Sequence, residues 1–345
     1  MLTMNAARYH GRRDIRIERV PVPEPAQGQV RLRVAYNGIC GSDLHEYYDG
    51  PIFMPAQAHP LTGHHLPAIL GHEFSGVVDK IGPGCPDGTP DVGRLVAVNP
   101  VLSCGECDHC RSHEENRCRD VAILGNAGGH GGLAEYVIIT ADQLIPVPDG
   151  VSAEEAAVAE PLAVAVHGVS KLSLAPVSTA LVIGGGPVGL GSAMALRSAG
   201  AETIHVAELS ERRRELVESL GFDLHADGAG QEYDVVVDCA GAPATLAMAL
   251  GSLRAGGQIL VVAMAASDIP LSITGLNVKE ATLQGTHLYS TADFRVVLER
   301  FAAGEYSVDG WVETVPLRDL IDEGYEALRA GDRVKVLIDP HEGEK

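Results

Sequence analysis

Between Thr179 and about residue 261 the chain alternates short apolar runs with helix-forming stretches, and no other feature restricts its fold so much. TALVIGGG is an apolar run closed by glycines. VGLGSAMALRSAG follows as a helix ending at a glycine, TIHVAEL as a strand, and SERRRELVESLG as a helix with Ser210 as its cap. YDVVVDCAG, APATLAMALGSL and GGQILVVA continue in the same order. Runs that are apolar throughout read as strands buried on both faces, and strands linked through helices run parallel. The segment therefore predicts an α/β unit with a doubly wound parallel sheet.

GGGPVG, from Gly184 to Gly189, lies where the first strand meets the first helix and fits G-x-G-x-x-G. The motif alone is weak, because glycine-rich turns are common. Its setting between strand and helix makes it a Rossmann-type dinucleotide site. Gly184 permits the tight turn, Gly186 lets backbone approach a pyrophosphate, and Gly189 allows close helix–strand packing. Pro187 and Val188 complete the loop at the helix N-terminus, which favours the negative charge. Glu208 ends the next strand and is placed to accept hydrogen bonds from ribose hydroxyls. A carboxylate there repels a 2′-phosphate, so NAD is preferred over NADP. Arg212, Arg213 and Arg214 either form a solvated helix face or supply a phosphate contact, with Arg213 the candidate.

The first 150 residues have a different texture. RDIRIERVPVPEP, GQVRLRVAYNGIC, EFSGVVDKIG, DVGRLVAVNP and GGLAEYVIIT alternate as half-buried strands. From Gly41 to about Ala68 proline, glycine and histidine predict loop. A helix begins near Ser152, where Ser152 and Glu155 form a capping-box pattern, and Pro161 suggests a turn into the helix. After about residue 280 come ADFRVVLERFAAG as an amphipathic helix, a helix from about Ile321 to Ala330, and a last strand at 334–338. The expected division is 1–155, 156–295 and a return segment 296–345.

A chain of 345 residues exceeds one comfortable core, so two domains are expected. Its net charge of −20 repels nucleic acid and anionic membranes. No run is long enough to span a bilayer, and the first residues lack an apolar signal core, so a soluble cytoplasmic protein is expected. Four of seven cysteines crowd together, which favours metal over disulfides.

Cys104, Cys107, Cys110 and Cys118 give C-x2-C-x2-C-x7-C, a pattern for a closed structural zinc site. Iron–sulfur motifs open the same way but continue with a shorter gap and Cys-Pro. A second site needs residues far apart. Cys40 in GICGSDLH, His72 and Glu73 in GHEF, and Glu160 in AEPLAVAVH offer thiolate, imidazole and carboxylate. That donor set suits a catalytic zinc with one open position. A packed core cysteine is the plainer alternative.

Taken in order, GICGSDLH, GHEFSGVV, the cysteine quartet, EPLAVAVH and GGGPVG resemble the zinc-dependent medium-chain dehydrogenase/reductase family. HEYYDGPIFMP, HPLTG and LPAILGHEFSG are similar to the loop of its 2,3-butanediol branch. The resemblance implies a GroES-like catalytic domain beside the Rossmann-type domain, with the C-terminal segment rejoining the first. It implies one catalytic zinc on Cys40, His72 and Glu160, with Glu73 as the histidine's neighbour, and one structural zinc on the quartet. Ser42 then takes the substrate proton, which runs through the nicotinamide ribose to His45 and on to solvent. Tyr47 and Phe53 become pocket-wall candidates, while His59, His64 and His65 belong to a loop read as pocket wall or oligomer contact, with plain loop surface the default.

The implied activity is NAD-dependent oxidation of a vicinal alcohol, 2,3-butanediol to acetoin, with diacetyl reduction compatible. The alternatives are sorbitol or another polyol, L-threonine, and a non-enzymatic NAD sensor on the same fold. A small-molecule substrate and a homodimer or homotetramer are the expected partners, with no nucleic acid and no membrane.

Overall fold

The computed structural model describes residues 2–55, 57–175, 178–226, 230–265 and 267–341. By its internal contacts the chain divides into two compact units, 1–160 with 290–345, and 161–289.

The first unit opens with a hairpin of β1 (Thr3–Gly11) and β2 (Asp14–Pro21), followed by β3 (Gln29–Gly38). In β3 Val30, Leu32 and Val34 are fully buried while Arg31 and Arg33 face outward, as the alternation predicts. The stretch after it departs from expectation. Residues read as loop form helix α1 (Gly41–Asp49), with Cys40 as its N-cap. The Asp43 carboxylate accepts the Cys40 N–H at 2.9 Å, closing the helix start from within. Proline and histidine density beyond residue 50 masks this short helix in the sequence.

Short β4 (Ala68–Ile69) adds to β1, and β5 (Glu73–Ile81) pairs antiparallel with β3. The β3–β5 register sets Gly38 opposite Glu73. It therefore brings Cys40, two residues past one strand, beside His72, one residue before the other. β6 (Leu95–Val98) continues the sheet, and the ribbon of β7 (Val101–Leu102) and β8 (Ala122–Ile123) brackets the cysteine lobe, which contains α2 (Asp108–Arg111). β9 (Tyr136–Thr140) pairs with β3, and β10 (Leu144–Pro146) with β6. Val30, Leu32, Val34, Phe74 and Val137 fill one core; Tyr9, Ile39, Tyr47, Met54 and Tyr325 fill another.

Helix α3 (Ala153–Val169) starts at the expected box: Ser152 N–H donates to Glu155 and Glu155 N–H donates to Ser152 Oγ. Pro161 lies inside this helix instead of starting it. The cost is one missing backbone donor, which the long apolar helix tolerates.

The second unit carries β11 (Thr179–Ile183), α4 (Pro187–Ser198), β12 (Thr203–Ala207), α5 (Glu211–Ser219), β13 (Asp223–Leu224), β14 (Tyr233–Asp238), α6 (Pro243–Ser252), β15 (Leu253–Val261), α7 (Ile273–Lys279) and β16 (Thr282–Gly285). All six strands run parallel in the order β13-β12-β11-β14-β15-β16. The order reverses between β11 and β14, so their carboxyl ends form the position where open α/β sheets bind ligands.

Helix α8 (Thr291–Ala302) and β17 (Val312–Pro316) return to the first unit. A helical stretch over 317–330 includes a π-helical turn at Leu320–Glu326. Final strand β18 (Lys335–Asp339) pairs parallel with β17 and antiparallel with β3, Leu337 opposite Gly38. Among the described residues no helix is long and apolar enough to cross a membrane.

Candidate active site and metal centres

The cysteine lobe gathers its ligands locally. The thiols of Cys104, Cys107, Cys110 and Cys118 all lie within 4.8 Å of one another. Cys107 Sγ is 3.5 Å and Cys104 Sγ 3.9 Å from Cys110 Sγ. A zinc–sulfur bond of about 2.3 Å requires tetrahedral edges of about 3.8 Å, so the four sulfurs fit that ion. Backbone N–H groups of Cys104 and Cys107 donate to the sulfurs of Cys118 and Cys104, as thiolates require. The Cys110 backbone N–H lowers the Cys107 thiol to about 6, whereas burial pushes Cys118 up to about 11. With four protein ligands in place, no position is left for substrate.

The second constellation joins the ends of β3 and β5. Ligand atoms of Cys40, His72 and Glu73 lie within 4.8 Å of one another, with His72 and Glu73 buried. His72 directs Nδ1 toward buried Asp43 at 3.6 Å, leaving Nε2 for the Cys40 side. Burial alone would lower the His72 pKa, but Asp43 and then Cys40 carry it well above the usual histidine range. Burial also pushes the Asp43 carboxyl upward, against the pull of His72. A buried, cation-attracting pocket of thiol, imidazole and carboxylate is the donor chemistry zinc takes, and an orienting carboxylate behind a ligating histidine is its usual support.

Glu160 is buried and close enough for its charge to raise His72, yet its oxygen is outside the three-residue cluster. Glu73 is inside it, and one of its oxygens accepts from the buried Lys335 ammonium. Lys335 also donates to the Ile39 carbonyl at 3.0 Å. Gly38 makes room for this pair: a Cβ there would stand 2.2 Å from a Glu73 oxygen and 3.0 Å from Lys335 Cε.

Ser42 Oγ lies 3.5 Å from His72 Nε2. His45 stands three residues later on the same face of α1, its side chain 61% exposed. The pair therefore runs from the metal cluster toward solvent. Tyr47 is buried edge-on against Tyr48 and Tyr325, a core position, while Phe53 is half-buried. His64 stacks edge-to-face on His130 and is not plain loop surface. Asp43 and Lys335 escaped the sequence reading. Asp43, three residues after Cys40, has a capping signal; for Lys335 the only hint is a lysine inside the apolar run VKVLI.

In the second unit Gly184 adopts φ +103°, and a Cβ on Gly189 would strike the Gly184 carbonyl at 1.8 Å, so both positions require glycine. Gly186 caps α4 with Pro187 as its first residue and Val188 next. Glu208 lies just past β12. Its Oε2 accepts the Gly185 N–H at 2.8 Å, and Oε1 accepts from Leu209 and Ser210. Of the three arginines only Arg213 turns inward, 3.9 Å from Glu208 and from the Cβ position of Gly186. Its buried Nε has no hydrogen-bond partner. Glycine loop, helix terminus, carboxylate and guanidinium thus converge at the turn between β11 and α4.

Residues 26–149 match the alcohol dehydrogenase GroES-like domain, and 187–303 match the zinc-binding dehydrogenase domain. The (R,R)-butanediol dehydrogenase of Bacillus subtilis is 36% identical over 98% of this chain and all of its own length. The chain belongs to the zinc-dependent medium-chain dehydrogenase/reductase family. The crystal structure of 2R,3R-butanediol dehydrogenase from Bacillus subtilis superposes with a TM-score of 0.91, over 98% of this chain and all of that one. Sorbitol dehydrogenase of the same organism is 34% identical over 83% of both chains. As a member of this family the protein is a zinc-binding, NAD(H)-dependent dehydrogenase, with a GroES-like and a Rossmann-type unit.

Proposed function

We propose that this dehydrogenase oxidises a vicinal secondary alcohol, 2,3-butanediol, to acetoin, and that it also reduces diacetyl. The similarity to (R,R)-butanediol dehydrogenase along the whole of both chains carries this reading. The balanced reaction is alcohol plus NAD+ to ketone, NADH and a proton. When bound, zinc supplies a Lewis acid that acidifies the substrate hydroxyl, and NAD+ supplies the hydride acceptor.

The chain's own residues position these groups and move the proton. Cys40 and His72 hold the catalytic metal together with a buried carboxylate. Two carboxylates qualify: Glu160, and Glu73, which is already in the cluster. Zinc content of Glu160→Ala and Glu73→Gln separates them, because only loss of the ligand empties the site. Ser42 Oγ accepts the hydroxyl proton as it releases its own toward the relay, and His45, on the exposed face of α1, takes up the relayed proton and gives one to water. The quartet holds the second zinc and contributes stability alone. Glu208 and Arg213 bind the adenosine end of NAD, and the Glu208 carboxylate opposes a 2′-phosphate.

The test is a panel of 2,3-butanediol, sorbitol and L-threonine with NAD+, with chiral analysis of the products. The highest kcat/KM is expected on 2,3-butanediol. A higher value on sorbitol, favoured by the sorbitol dehydrogenase match, or on threonine overturns the diol assignment.

The proposal includes a homodimer or homotetramer in the cytoplasm. Ile273, Val278 and Leu283 are exposed on α7 and on β16 at the sheet edge, and such apolar surface supports self-association. The seven free thiols fit a reducing compartment. Light scattering measures the assembly.

A further inference from the structure

One buried carboxylate of α1 takes no part in either metal cluster. Glu46 is 1% exposed, and its Oε2 accepts the backbone N–H groups of Ile52, Phe53 and Met54 at 3.0, 2.7 and 3.3 Å. Its main-chain carbonyl accepts the Tyr9 hydroxyl at 2.8 Å and the Gly50 N–H at 3.0 Å. Three successive amides on one charged oxygen fix a segment in a single conformation. The other oxygen, Oε1, is buried with no hydrogen-bond partner. A helix glutamate facing solvent would avoid that desolvation cost, so the three amide bonds must offset it.

The clamp has a defined mechanical setting. Glu46 lies four residues after Ser42, one helical turn and about 6 Å along the axis. Ser42 faces His72, so α1 is a rigid link between the metal cluster and residues 52–54. Clamping seats Met54 in the core that contains Ile39, Tyr47 and Tyr325, and Ile39 directly precedes Cys40. Ile52, by contrast, is left 53% exposed.

We propose that Glu46 is a positioning residue for the substrate site: it anchors the Ile52–Met54 segment as the wall against which the alcohol packs beside Cys40 and Ser42. This rests on the alcohol dehydrogenase reading of that cluster. The anchored segment sets the affinity for the alcohol, whereas hydride and proton transfer proceed without it.

The test uses the zinc-loaded enzyme with Glu46→Gln, which keeps the side-chain size and one acceptor oxygen but loses the charge, and with Glu46→Ala. Hydrogen exchange reads the amides of Ile52, Phe53 and Met54, and steady-state kinetics use whichever alcohol the wild type turns over best. Failure of the diol assignment therefore leaves this test intact. In Glu46→Gln the three amides are expected to exchange about ten-fold faster, and KM for the alcohol to rise about ten-fold. The kcat, the KM for NAD+ and the zinc content stay at wild-type values. Glu46→Ala shows the larger change in the same direction; where it fails to fold, Glu46→Gln decides. Unchanged exchange overturns the clamp. Faster exchange with unchanged alcohol KM overturns the wall, as does a fall in kcat without a rise in KM.

Discussion

Cys104, Cys107, Cys110 and Cys118 span fifteen consecutive residues, and a small ribbon with one short helix gathers them. Cys40, His72 and Glu73 meet because two strands pair in one register, and Asp43 and Lys335 reach them from a helix start and the last strand. The first cluster has its shell built from its own backbone N–H groups. The second depends on buried charges drawn from across the unit. The closed site can therefore be held by local chain alone. A site that leaves room for substrate needs support from elsewhere, because fewer ligands fix its geometry.

Substitutions can break this contrast. Cys40→Ser is expected to lower turnover roughly ten-thousand-fold while circular dichroism and thermal unfolding stay near wild type. Zinc content should drop from two to one per chain, and full activity would refute the assignment. Cys110→Ser reverses the pattern. Loss of the quartet's zinc should destabilise the chain by on the order of 5 kcal/mol in denaturant titration, with residual turnover in the folded fraction.

Lys335→Met tests the buried support. It strands the Glu73 carboxylate in the interior, and about 3–5 kcal/mol of stability should be lost. Adding Glu73→Gln should recover part of that loss, measured by the same titration. An additive double variant would show that the pair does not interact.

The smallest effect concerns the loop before His72. Burial, helped by His130 and His65, lowers the His64 pKa from 6.5 to about 4. The unfolded chain then binds more protons between those values, so stability rises with pH there. The contribution is complete above about pH 6.5 and is lost as pH falls toward 4. With His64 only half-buried, about 1 kcal/mol is expected. Unfolding midpoints of His64→Gln should be correspondingly less acid-sensitive over that window, and an unchanged slope would remove His64 from the account.

Much of the molecule was legible before its structure. The apolar runs from 179 to 261 became parallel strands, because a strand buried on both faces has one composition wherever it lies. GGGPVG became the turn between β11 and α4, since Gly184 and Gly189 allow no side chain. The Ser152 cap formed as written. Misreadings fell where local signals conflict. Loop composition beyond residue 50 hid helix α1, and Pro161 looked like a start although α3 runs through it.

By itself the sequence determined the units whose physics is contained in a contiguous stretch: the parallel sheet, the glycine turn and the four-thiol lobe. Tertiary structure decided the rest of the active site. It put Glu73 in the cluster beside Cys40 and His72 without Glu160, turned Arg213 toward the glycine loop, and buried Lys335 and Glu46 against partners. The reason is that burial, strand register and charge pairing depend on residues far apart in sequence, and an ionisable side chain shows its role only once the chain has removed water from around it.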